Sequence, residues 1–367
     1  MRVAVTVEQA WHPVPGGIGV STVELLGALR NRAALDLVGV AARHREPPAE
    51  PWRPPIPVRH LPLPRVALYD AWHTIRWPAI ERATGPVDVV HAMYFAIPPC
   101  RAPLVATFHD LLFLAYPEHY TWHTRWVFNR ALELARRHAR LVMCPSQATI
   151  DECRQAGFDA DQLRLVPWGV RPETSAPGDQ KAVRERYHLD RPYVMFCGTV
   201  EPRKNLPRVI EAFRAVDRPE LELVIVGPRG WREDLDTAVD RSNGRVRLLG
   251  FVPRRDVDAL YAGAALVVYP SLREGFGLPV LEAMAQGAAV VTSRGTATEE
   301  AVGDAGLLVD PLDVDAIAAA IVRLLDDRAL ADRLGAAARA RAGTFTWDRT
   351  ADLVADVYRE AVDGNTA

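Results

Sequence analysis

Residues 271–287 read SLREGFGLPVLEAMAQG, and this stretch decides the fold. Just before it, Ala265 to Tyr269 (ALVVY) is a short apolar, β-branched run, the pattern of a strand buried on both faces. Pro270 and Ser271 stop that strand. Gly275 and Gly277 flank Phe276, so the backbone there can take positive φ and approach a ligand closely. Pro279 suits the first helical position, where a missing N–H costs nothing. The helix continues through Val280, Leu281 and Met284, and Gly287 is placed to end it. The free N–H groups of such a helix end form an anion site. Glu274 in the loop and Glu282 in the first turns are poor phosphate ligands but good acceptors for sugar hydroxyls. A ligand both phosphorylated and rich in hydroxyls is expected.

Working outward, Tyr193 to Cys197 (YVMFC) reads as a strand. It is followed by the loop Gly198-Thr199-Val200-Glu201-Pro202-Arg203-Lys204-Asn205 and a helix from about Leu206 to Arg214. Further strands are expected at Leu223–Val226, Val246–Leu249, Leu266–Tyr269, Ala289–Thr292 and Gly306–Val309, with helices between most of them. Adjacent Arg and Lys residues are common on solvated surfaces. Arg203 and Lys204 differ by position, at the carboxyl edge of a buried strand, where a planar fork and a point charge together suit a diphosphate. The Asp-x-Asp pairs Asp234-Leu235-Asp236 and Asp313-Val314-Asp315 read as ordinary helix or loop charge, so no metal site is expected. Helices are expected at Asp315–Leu325, Leu330–Ala342 and Trp347 to about Val362. The last carries Leu353, Val354, Val357 and Tyr358 at core-packing spacing.

The first half opens in the same way. Val3–Val7 is a strand, EQAWHPVPGGIG a long loop, and Ser21 to Arg30 a helix. Gly16 and Gly17 either make a simple turn or face a ligand, and their place after a strand end favours the ligand. The third glycine of the dinucleotide fingerprint is missing, which argues against a nicotinamide dehydrogenase. Leu35–Val40, Val87–His91, Leu104–Thr107, Leu141–Cys144 and Leu163–Val166 are strand candidates. Residues 47–64 hold eight prolines and read as an extended surface connection. His109, just past a strand end, is the histidine singled out for function over a structural role. Thr124 to Arg140 reads as a basic amphipathic helix, either a solvated face or a membrane-surface element. Ser146 is the expected N-cap of a helix over Gln147–Ala156. The polar stretch Arg171–Gln180 marks the domain boundary.

A chain of 367 residues is too long for one ordinary core and comfortable for two. The charged content of 25% with 49% hydrophobic residues is that of a globular protein, and a net charge of −2 gives no footprint for nucleic acid. Four widely spaced cysteines suggest reduced thiols in a cytosol. No signal peptide or membrane span is expected, which points to a cytoplasmic protein.

These motifs together resemble the retaining glycosyltransferases of family four. The resemblance is carried by Gly198-Thr199-x-Glu201-Pro202-Arg203-Lys204-Asn205 and by Glu274-Gly275-Phe276-Gly277-Leu278-Pro279-x-x-Glu282. Gly16-Gly17-Ile18-Gly19 and Thr107-Phe108-His109-Asp110 extend it more loosely into the first half. It implies an α/β protein of glycosyltransferase-B fold, with two Rossmann-like, doubly wound parallel-sheet domains facing across a cleft. Residues 1–172 plus the helix 347–363, crossing back, would bind the acceptor, and residues 173–346 the donor. Arg203 and Lys204 would hold the diphosphate and Glu282 the ribose. Glu274, with the backbone of Gly275, Phe276, Gly277 and Leu278, would hold sugar hydroxyls and phosphate. His109 would touch the donor sugar, and Gly16 and Gly17 would close over phosphate or acceptor. Gly198 and Thr199 would belong to the donor loop, and Phe251 and Val252 would receive the base. The resemblance further implies retention of configuration without a metal or other cofactor, by front-face attack in which the departing phosphate takes the acceptor's proton. The donor expected is a nucleotide-diphosphate sugar, GDP-mannose first and a UDP-sugar second. The acceptor expected is a glycan or lipid-linked saccharide of cell-surface polysaccharide or glycolipid synthesis, with possible peripheral contact at the inner membrane face. A nucleotide-sugar epimerase and a non-catalytic nucleotide-sugar binding protein are the competing readings. A pyridoxal phosphorylase has little support, because Lys181 and Lys204 are the chain's lysines.

Overall fold

The computed structural model describes residues 1–12, 16–171, 175–228, 230 and 244–364. The chain divides into two units, Met1–Gly169 with Trp347–Ala367, and Val170–Thr346. The division follows Gly169; composition marks Arg171–Gln180 as the boundary, and the first domain is expected to be residues 1–172.

Among the described residues the first unit holds seven strands. They are β1 (Arg2–Thr6), β2 (Asp36–Ala41), β3 (Val58–His60), β4 (Val89–Ala92), β5 (Leu104–Thr107), β6 (Ala139–Cys144) and β7 (Leu163–Leu165). Their order is β3-β2-β1-β4-β5-β6-β7, and every neighbouring pair is parallel. The chain moves outward from β1 to β3, then returns to the other side of β1 to lay down β4. Loops leaving β1 and β4 therefore diverge, which makes the crevice where open α/β sheets bind ligands.

β4 and β5 are buried at every position, as strands covered by helices on both faces must be. The polar residues are His91 and Thr107, and His91 is fully satisfied. Its Nδ1 lies 2.7 Å from the Tyr358 hydroxyl and its Nε2 2.7 Å from Thr107 Oγ1. Tyr358 belongs to the last helix, Trp347–Asp363, which packs on this unit. Arg32 fastens the same helix through Asp348 at 3.0 Å and Asp352 at 2.8 Å. Ser146 caps its helix, Gln147–Gln155, by accepting from Thr149 N, a contact worth about 1 kcal/mol.

Two expectations change here. The proline-rich segment is not only a connection, since it contains β3, paired to β2 as Gly39↔Val58, Val40↔Arg59 and Ala41↔His60. Proline cannot donate to a ladder but its carbonyl can accept, and Gly39 N donates to Pro57 O at 2.8 Å, so the segment fits a sheet edge. The first helix runs Gly16–Leu29, so Gly16 and Gly17 form its first turn rather than the end of a loop.

The second unit repeats the plan with six strands among the described residues. They are β8 (Tyr193–Cys197), β9 (Glu222–Val226), β10 (Val246–Gly250), β11 (Leu266–Tyr269), β12 (Val290–Ser293) and β13 (Leu307–Val309). The order is β10-β9-β8-β11-β12-β13, all parallel, and the reversal falls between β8 and β11. The helix Leu278–Ala285 follows β11 and buries Leu281 and Met284 completely, each worth roughly 1.5–3 kcal/mol. Pro279 is its second residue, one place later than expected. A helix over Pro177–Arg186 escaped the sequence reading because Val183 is its one buried side chain among the described residues, too few to show a period.

Candidate active site

The reversal between β8 and β11 brings together two loops about seventy residues apart in sequence. The first, after β8, runs from Gly198 into a short 3-10 turn, Pro202–Lys204. Asn205 ends that turn in the left-handed region, φ 63°, and its side-chain amide donates to Pro270 O at 2.9 Å and Pro311 O at 2.6 Å. Leu272 N donates to Arg203 O at 2.8 Å, so the two loops share backbone as well as side-chain bonds.

Across this junction lies a buried charge cluster. Lys204 Nζ donates to Glu274 Oε1 at 2.7 Å, and Arg203 Nη1 donates to Glu274 Oε2 at 2.6 Å. Arg203 Nη2 reaches Glu201 Oε1 at 2.6 Å. The Tyr269 hydroxyl donates to Glu274 Oε1 at 3.0 Å and also contacts Lys204 Nζ. Burial alone would raise the Glu274 carboxyl, but Arg203 and Lys204 override it and hold it down to about 2. Lys204 is pushed below its ordinary value by burial and by Arg203. Glu274 is therefore an ionised, acceptor-only group at neutral pH.

The loop after Glu274 supplies the complementary donors. Gly277 precedes the helix at φ 100°, and a Cβ there would lie 2.7 Å from Thr298 Cγ2, so only glycine fits on both counts. Among the described residues the amides of Phe276, Gly277 and Leu278, at and just before the helix N-terminus, have no acceptor. Gly227 also permits close approach, since a Cβ there would lie 2.1 Å from Gly198 O. Thr199 is half-buried beside it.

Glu282, in the second turn of the helix, is engaged by Arg254 Nη1. Arg254 Nε also lies 3.1 Å from Asp258 Oδ1. Cys197, at the end of β8, feels both groups of charge, and burial followed by Glu282 pushes its thiol up to about 12. Past β10, Phe251 is 69% exposed while Val252 is buried. Asp313 caps a helix by accepting from Ala316 N at 2.9 Å, and Asp234 to Asp236 lie outside the described residues.

In the first unit, His109 follows β5 and is buried. Its Nε2 lies 3.1 Å from Met93 O, the residue after β4, and its ring lies 5.4 Å from that of Trp168. Burial lowers its pKa to about 4, against the pull of the Met93 carbonyl, so it is neutral at pH 7. Gly16, at φ 59°, and Gly17 are exposed.

Three residues of these networks were not singled out in the sequence. Tyr269 read as the last residue of a strand, and Glu201 as part of a motif. Arg254 carries no local signal, because its partner is 28 positions away.

A pair of parallel, doubly wound sheets with ligand-type loops at both reversals defines the glycosyltransferase-B fold. Solved structures share it. Sucrose-phosphate synthase from Thermosynechococcus elongatus superposes with a TM-score of 0.79 at 23% identity, covering 99% of this chain and all of that one. Anabaena HepE, solved with UDP-glucose, gives 0.78 at 23% identity, covering 98% and 100%. Residues 179–341 match the family Glycosyl transferases group 1, and residues 15–174 match Glycosyltransferase Family 4. The O-antigen chain mannosyltransferase B of Escherichia coli is 34% identical over 281 residues, 74% of each chain. A D-inositol 3-phosphate glycosyltransferase of Xylanimonas cellulosilytica is 30% identical over 94% of this chain and 92% of its own. The chain belongs to the group 1 glycosyltransferases. It is an enzyme, a hexosyltransferase.

Proposed function

We propose that the protein moves a hexosyl group, mannose from GDP-mannose in the first instance, onto a glycan or lipid-linked saccharide during cell-surface polysaccharide or glycolipid assembly. Kinship to named mannosyltransferases supports the sugar and the pathway class. The observation that carries the reading is the cluster of Arg203, Lys204 and Glu274 beside the acceptor-less amides of Phe276, Gly277 and Leu278. Lys204 has three N–H donors, two of them occupied by Tyr269 and Glu274, so the third is left for a phosphate oxygen. Arg203 is locked between Glu201 and Glu274 and needs little reorganisation when phosphate arrives. As the glycosyl bond loosens, charge grows on the departing diphosphate. Cations held in a buried site then act on the barrier itself, without a metal. Glu274, fixed as a carboxylate, accepts from donor-sugar hydroxyls. Glu282 accepts from the ribose, with Arg254 orienting it, and Phe251 and Val252 flank the base. His109, neutral, offers a ring nitrogen to the donor sugar. The departing phosphate takes the acceptor's proton on the front face, so configuration is retained.

A peripheral position at the inner membrane face fits the helix Trp122–His138, which exposes Trp122 at 78% together with Arg125. No helix among the described residues is long and apolar enough to cross a membrane. The test is a thermal-shift panel of GDP-, UDP- and ADP-sugars, followed by transfer assays with the donor that stabilises most. Stabilisation by GDP-mannose and product retaining the α-configuration are expected. Preference for a UDP-sugar would replace the donor, and donor hydrolysis without an acceptor would favour an epimerase.

A further inference from the structure

The proline-rich segment encloses a cavity that the donor reading does not use. Its volume is about 440 Å³, the size of a small-ligand site. It opens at the carboxyl edge of the first sheet. Trp11 comes from the segment after β1, His44 and Arg45 follow β2, and His60 ends β3. That edge is where a doubly wound sheet presents ligand-binding groups.

The wall is built, not incidental. The Trp11 ring stacks on His44 at 4.5 Å and 8°, and meets His60 edge-on at 5.6 Å. Trp11 Nε1 donates to Glu46 O at 2.8 Å. Behind the stack lies Glu8, which is 7% exposed. One of its oxygens is 2.8 Å from His44 Nε2, and the other accepts from Ala42 N at 2.8 Å. A buried carboxylate is thus committed to holding one imidazole against one indole. His60 Nδ1 donates to Ala42 O at 2.7 Å, which leaves its Nε2 for a ligand hydroxyl. Pro47, Pro48, Pro54, Ile56, Pro57 and Val58 supply the apolar lining. Arg45 and Arg53 belong to the lining and are exposed, and neither is paired with a carboxylate among the described residues. Among the described residues Glu46 is the one carboxylate in the lining, so guanidinium charge prevails.

Ring walls suit the C–H faces of a sugar, an imidazole nitrogen suits a hydroxyl, and guanidinium forks suit an anionic group bidentately. We propose that this pocket binds a saccharide bearing a phosphate or a carboxylate, with Arg45 and Arg53 gripping the charged group and Trp11 and His60 the ring. That the saccharide is the acceptor end rests on the glycosyltransferase reading above. The binding itself does not, because it is measured without turnover.

The experiment is isothermal titration of the full chain with mannose, mannose 6-phosphate, glucuronate and inorganic phosphate. It is repeated on the Arg45→Ala/Arg53→Ala and Trp11→Phe variants, with thermal midpoints as the folding control. Both arginines are exposed, so the double variant is expected to fold. At least one charged sugar should bind roughly tenfold more tightly than mannose, and the double variant should lose that factor. Which charged sugar gains separates phosphate from carboxylate. Trp11→Phe should weaken the charged sugar while leaving inorganic phosphate unchanged. Equal binding of mannose and the charged sugars would overturn the proposal. So would inorganic phosphate binding as tightly as the sugar phosphate, or a double variant that loses nucleotide affinity in place of sugar affinity. Loss of transfer through Lys204 bears on the donor reading and leaves this titration untouched.

Discussion

The two units reverse strand order in the same way, yet their edges differ in chemistry. At the β8–β11 reversal, Arg203, Lys204, Glu201, Glu274 and Tyr269 form an ionic network. Near the β1–β4 reversal stands a neutral imidazole, His109, on a backbone carbonyl and an aromatic ring, with two exposed glycines opening the first helix. Shared topology supplies the place, and side chains decide what happens there. The ionic edge holds its groups by charge, the neutral edge by burial and packing. The two should therefore fail differently when altered.

The largest effect is expected at the ionic edge. Lys204→Ala should lower kcat about 10²–10³-fold while the donor KM changes far less, as for a contact that strengthens in the transition state. Steady-state kinetics with an intact thermal midpoint checks this, and an unchanged kcat would erase the contrast. Glu274→Gln comes next. It removes the charge that both cations face, so turnover should fall and the acid limb of stability should move. The native Glu274 carboxyl is held to about 2, below its unfolded value of 4.5, so its contribution is complete above 4.5 and is lost as pH falls towards 2. Urea titrations of both proteins between pH 7 and 3 test it. A smaller effect is expected from Arg254→Ala, which frees Glu282. The donor KM should rise roughly tenfold with little change in kcat, and Glu282→Ala should match it. A kcat effect from Arg254 would place it nearer the chemistry.

In the first unit the readout is stability. Burial holds His73, His91 and His109 neutral, down to about 3, 3 and 4. Between pH 6.5 and 4 the unfolded chain binds more protons than the folded one, so stability should decline as pH drops through that window. A flat urea midpoint from pH 7 to 5 would contradict it. The smallest change is Tyr358→Phe, which leaves His91 Nδ1 without its partner and should cost about 1–3 kcal/mol with donor kinetics unaltered.

The sequence by itself determined the scaffold. Strands buried on both faces read as unbroken apolar runs, and glycine and proline punctuate them, so β5, β8 and β11 are legible residue for residue. It also pointed to the loops for which chemistry is proposed, because Gly277 and the Arg203–Lys204 pair announce themselves locally. Tertiary structure alone decided who partners whom. The strand reversal carried Glu274 seventy positions to Lys204, helix placement brought Arg254 onto Glu282, and pairing with β2 gave the proline-rich stretch an edge strand and a lined cavity. Local pattern reports the period and the punctuation of a chain. A contact between distant segments depends on the order in which the strands are laid, which no single stretch of residues encodes.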